Sequence, residues 1–122
     1  MSDLFEILAP RRLTEVVDIG ANPIDGDPPY IEMLVAGLCR VLGFEPQQSA
    51  LAALQNAKGP NERYLPDVIG SGGAYTLNVC QAPGMSSLLE PDQDTLRVFN
   101  LLPSFGEVKD RVSGVSRKLD CL

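Results

Sequence analysis

At 122 residues the chain has the length of one domain, and its 44% hydrophobic and 21% charged residues are globular proportions, not disordered or fibrous ones. A net charge of −6, with ten Lys and Arg residues scattered along the sequence, argues against a nucleic-acid binder, and no apolar run approaches the roughly 20 residues of a membrane span. The absence of histidine removes every Ser-His-Asp or Cys-His nucleophile and every His-ligated zinc site, so no metal is expected and a general base would have to be Asp, Glu, Tyr, Lys or Cys.

The start, Met1-Ser2-Asp3-Leu4-Phe5-Glu6, is acidic and lacks the basic opening of a secretory signal, which places the chain in the cytoplasm. Cys39, Cys80 and Cys121 are odd in number and form no CxxC pair, as expected of reduced thiols. Ser2 is placed to cap a short helix with Leu4, Phe5 and Leu8 on one face, ended by Pro10. Arg11-Arg12 reads as a solvated pair. Val16–Ile19 is a β-branched run bounded by Gly20, the pattern of a strand covered on both faces. The turn formers of 22–29 make a loop. Ile31, Leu34, Val35 and Leu38 then fall at i, i+3, i+4 and i+7, the stripe of an amphipathic helix, with Gly37 as its end signal or a close-packing position.

Val41–Phe44 is the second strand. Pro46 suits the first turn of a second helix carrying Ala50, Ala53, Leu54 and Ala57, which stops near Lys58-Gly59-Pro60. Tyr64–Ile69 is a third strand in which Pro66 points to an edge or a bulge. This β-α-β-α-β alternation indicates a parallel sheet. Beyond the turn at 70–73, Ala74–Cys80 alternates as an antiparallel strand does. A loop spans 82–91, a weak helix 93–101, and a last strand 108–119 is interrupted at Ser113-Gly114.

Two strand ends carry acids: Asp18 before Gly20-Ala21-Asn22, and Glu45 after Phe44. Acids at the ends of neighbouring parallel strands are a common way to hold a nucleoside-bearing cofactor. The turn lacks the three glycines of GxGxxG, which disfavours NAD and FAD, and no GxxxxGK[ST] loop is present. A ligand without phosphates relaxes the glycine requirement, and S-adenosylmethionine is one. On that reading Asp18 and its neighbours meet the methionine amino end, Gly20 lets the backbone pass close, and Glu45 accepts both ribose hydroxyls. Asp67-Val68 would lie near the adenine. The plainer alternative is that Asp18 and Glu45 only cap the helices that follow them. Tyr30 and Tyr75 could reach a pocket or simply pack.

The segments VVDIGANPIDGDPPY, GLCRVLGFEPQ, KGPNERYLPDVIGSGG and YTLNVCQAPGMSSLLEPD resemble the FkbM-type S-adenosylmethionine-dependent methyltransferases, from about Val16 to Leu122. The resemblance implies an α/β fold: a partial doubly wound, Rossmann-like class I sheet of three parallel strands, followed by antiparallel strands at its edge. Residues 1–122 would form one domain, with a lead-in to 15, the β-α-β-α-β unit over 16–70 and a strand-rich extension over 71–122. It implies methyl transfer from S-adenosylmethionine to a hydroxyl oxygen of a small molecule or sugar. Asp18, Gly20, Ala21 and Asn22 match the family's first cofactor motif, and Glu45 its ribose-binding acid. Met85, Ser86 and Ser87 fall in its Met-Ser/Thr-Ser-Leu loop. Family members continue beyond the stretch matching Arg117-Lys118-Leu119-Asp120 into a strand with an Asp-Val-Gln-Gly-like motif, so this chain reads as the cofactor-binding half, with no catalytic base assigned. The competing expectation is an assembly module, in which Val16–Ile19 forms an exposed sheet edge that pairs with a second copy or a partner chain.

Overall fold

The computed structural model describes residues 12–24 and 26–122. The expected helix with Leu4, Phe5 and Leu8, and Arg11 of the arginine pair, lie outside the described residues. The chain divides into two compact units, with the boundary between Asp67 and Val68.

The first unit is built on a parallel three-stranded sheet in the order β1-β2-β3, formed by β1 (Thr14–Ile19), β2 (Cys39–Phe44) and β3 (Glu62–Leu65). β2 is central because it is apolar on both faces, as strands inside parallel sheets are. Cys39 and Val41 are buried in the core while Leu42 and Phe44 point the other way. The expected third strand, Tyr64–Ile69, starts two residues earlier and ends four residues earlier. Pro66 has no N–H for a ladder, so pairing stops at Leu65, and β3 is a sheet edge.

Helix α1 (Ile31–Val35) is shorter than the apolar stripe predicts. Gly37 takes a left-handed φ of 72°, and its N–H donates to Leu34 O while that of Leu38 donates to Met33 O. These two bonds cap the last carbonyls and turn the chain out of the helix. Leu38, expected on the stripe, therefore lies past the helix end, and Val35 is 82% exposed. Helix α2 (Gln48–Ala57) starts after Gln47, so Pro46 precedes it and is not in its first turn. Leu34, Leu51 and Leu54 from the two helices pack on one sheet face against Ala21, Cys39, Val41 and Tyr64.

The second unit holds an antiparallel pair, β4 (Ala74–Cys80) and β5 (Val108–Val115). This pair forms its own two-stranded sheet and does not extend the parallel one, which corrects the expectation of antiparallel strands at its edge. β5 runs unbroken through Ser113-Gly114 and ends at Val115. Gly114 stands opposite Tyr75, and a Cβ there would lie within 2.9 Å of the tyrosine ring, so the glycine serves close cross-strand packing. The weak helix of 93–101 reduces to one turn, α3 (Gln93–Leu96), capped by the Asp92 carboxylate accepting the Asp94 and Thr95 N–H groups. A further turn, α4 (Leu102–Phe105), follows Leu101, whose φ of 72° breaks the helical path. Cys39, Cys80 and Cys121 are free thiols. Among the described residues no helix is long and apolar enough to cross a membrane.

Candidate functional site

β1 and β2 are parallel and in register, with Asp18 opposite Gly43 and Ile19 opposite Phe44. The ends of both strands therefore open at one edge of the sheet. Past Ile19 the chain turns sharply: Gly20 adopts a φ of 76°, where a side chain would be strained, and the N–H groups of Gly20 and Ala21 both donate to Phe44 O, at 2.9 and 3.0 Å. This fold-back delivers Asn22 to Glu45, whose Oε2 accepts the Asn22 N–H at 3.1 Å. Glu45 Oε1 accepts the Gln47 N–H at 2.8 Å.

Glu45 is only 2% exposed. Burial pushes its carboxyl above the usual range, and the nearby Asp18 charge pushes the same way, while the two N–H groups offset part of the rise. The two acids are thus close enough to feel each other. Asp18 accepts the hydroxyl of Tyr30, the residue just before α1. Each acid consequently holds the residue that begins the next helix, Tyr30 for α1 and Gln47 for α2. Neither contact is a side-chain cap of a first-turn helix N–H, so the acids fasten the residues ahead of the helices without capping them.

A row crosses the sheet beneath this edge: Asp18 on β1, Gly43 on β2 and Tyr64 on β3. The Tyr64 ring lies over Gly43, where a Cβ would stand 2.5 Å from Tyr64 Cδ1. Tyr64 donates its hydroxyl to Glu62 Oε1 at 2.8 Å, and Glu62 Oε2 accepts the Gly59 N–H. Burial raises the Tyr30 and Tyr64 hydroxyls well above the ordinary phenol range, and the bonds to Asp18 and Glu62 add to this. A cavity of about 640 Å³ opens between α1 and α2 on this face, lined by Tyr30, Leu34, Leu54, Ala57, Glu62 and Tyr64 among others.

Asp18, Gly20, Ala21, Asn22 and Glu45 therefore come together at one edge of the first unit. Asp67 is two residues past Leu65, whose carbonyl accepts the Glu45 N–H at 3.0 Å, so it too follows a strand end on that edge. Val68 and Ser86 belong to the second unit. Val68 is buried there, with its carbonyl accepting the Arg117 N–H. Ser86 Oγ accepts the Cys80 N–H at 3.0 Å, and Ser87 Oγ the Leu89 N–H at 3.1 Å, both local turn-holding bonds. Tyr75 packs over Gly114. Tyr64, Glu62 and Gly43 were not singled out from the sequence. Gly43 lies on the same strand face as Val41, but only the strand register shows which aromatic covers it.

Among the described residues no group of three or more acids and thiols is placed to hold a metal ion. Comparison with protein families, with curated proteins and with solved structures gives no match to this chain.

Proposed function

We propose that this chain binds S-adenosylmethionine across the ends of β1 and β2 and serves as the cofactor-binding part of an FkbM-type methyltransferase acting on a hydroxyl of a small molecule or sugar. The observation that carries the reading is the pairing of Asp18 and Glu45 at adjacent parallel strand ends, with the left-handed Gly20 turn between them. The rest of the reading comes from the sequence resemblance. When bound, the ligand supplies a sulfonium methyl group. Asp18 offers a negative charge to its amino end, Gly20 and Ala21 present backbone free of bulk, and Glu45 is the acid assigned to the ribose. Each Glu45 oxygen accepts one N–H and keeps one acceptor position. Because the carboxylate is buried, ribose contact requires the Asn22 turn to move off Oε2.

Calorimetry with S-adenosylhomocysteine tests the assignment. Saturable binding is expected, and Glu45→Gln should weaken it by about 10- to 100-fold, the loss of a hydrogen bond to a charged group. No binding by the wild-type chain, or equal affinity in the variant, would count against it, and a response to NAD instead would move the chain to the dinucleotide class.

A second reading, an assembly module, is favoured by one feature. Among the described residues β1 has a single neighbour in its sheet, and its Val17 and Ile19 are 47% and 58% exposed. An open strand of this kind pairs readily with another chain, and light scattering on the purified protein would reveal the association.

A further inference from the structure

The cavity between α1 and α2 is distinct from the strand ends, although Ala21 and Pro23 border both. Its volume of about 640 Å³ falls in the range of small-molecule sites, and its composition follows their pattern of apolar walls with a few converging polar groups. Leu34, Leu54 and Ala57 supply the apolar walls. Tyr30 and Tyr64 supply two aromatic rings, and Asp27 and Glu62 supply carboxylates, with no Lys or Arg in the lining. The Glu62 carboxylate is held in place by the Gly59 N–H and the Tyr64 hydroxyl, and Asp18 stands behind Tyr30 in the same way. All these hydrogen bonds come from neutral donors, so the negative charge is oriented but not neutralised.

We infer that this cavity binds a small organic cation, an amine or quaternary ammonium carried on an apolar body. A held carboxylate, Glu62, beside aromatic rings attracts such a group twice, through charge and through the ring quadrupole, and the exposed Asp27 at the rim adds to the charge. An anion would be repelled by Asp27 and Glu62, and a neutral molecule would gain apolar contacts and at most a hydrogen bond, without the charge attraction. Tyr30 and Tyr64 remain neutral phenols, and burial raises their hydroxyls further from titration, so the rings act as neutral π faces. The inference does not depend on the chain binding S-adenosylmethionine.

The chain contains three tyrosines and no tryptophan, and two of those tyrosines line the cavity, so intrinsic tyrosine fluorescence reports on it. Titration of the whole chain with phenethylamine should give a saturable change, with 2-phenylethanol at least about tenfold weaker. Glu62→Gln should weaken the amine about tenfold and leave the alcohol unchanged. Ala57→Phe, which fills the space from the end of α2, should abolish both responses without lowering the melting temperature. A flat amine titration, equal affinity for amine and alcohol, or undiminished binding to Ala57→Phe would overturn the proposal. Displacement of the amine by S-adenosylhomocysteine would overturn it as well, since the cavity would then belong to the cofactor's own site.

Discussion

Gly43 and Tyr64 share one space: the ring occupies what any side chain at the glycine would need. In Gly43→Ala the new methyl meets a ring held by Glu62 and by the core, so it cannot be absorbed by a flexible tip. A loss of about 1–3 kcal/mol is expected, the usual cost of overpacking, and urea denaturation would measure it; an unchanged midpoint would mean that the ring moves freely. Glu45 makes a different prediction. Its carboxyl titrates above its unfolded value because burial disfavours the charge. The sign follows from linkage: the stability it contributes is present below the unfolded pKa and is lost as pH rises through the raised folded one. The stability of wild type relative to Glu45→Gln should therefore fall as pH rises above the ordinary carboxyl range, read from denaturation curves at a series of pH values. A difference independent of pH would show that burial does not perturb the group. Both acids were visible in the sequence by type and position. Tyr64 was not, because its partner lies 21 residues away and only strand register joins them.

At the scale of elements, the apolar stripe from Ile31 to Leu38 announced α1 but overstated its length. Backbone geometry at Gly37 decided the matter, since its positive φ and the two capping bonds end the helix whatever the side-chain spacing. Pro66 acted similarly on β3. The strand most open to experiment is β1, which among the described residues has β2 on one side only. If it mediates assembly, light scattering should give a mass above that of one chain at high concentration, and Val17→Lys should return it to one chain, because a lysine on an edge strand blocks pairing. A single-chain mass at every concentration would remove the assembly reading and leave the cofactor reading untouched.

On the scale of the whole chain, the β-α-β-α-β order and the change to antiparallel pairing after 70–73 were both legible, because helical and strand periodicities differ and Gly-rich turns separate them. The sheet to which β4 and β5 belong was not. Hydrogen-bond pairing joins segments far apart in the chain, and alternation says only that a strand exists. The division between Asp67 and Val68 falls three residues ahead of the one expected at the Gly-rich turn of 70–73. The site shared this limit: residue types suggested acids at strand ends, while the Tyr30 and Gln47 attachments needed coordinates.

One consequence concerns the order in which the protein matures. The aromatic lid over the middle strand is supplied by β3, the last strand of the first unit to leave the ribosome. A nascent chain that has reached only Pro60 has β1, β2 and both helices, yet its central strand still lacks the ring that fills the gap above Gly43. Until Tyr64 emerges no side chain fills the space above Gly43, so the packing of the central strand depends on the segment made after it.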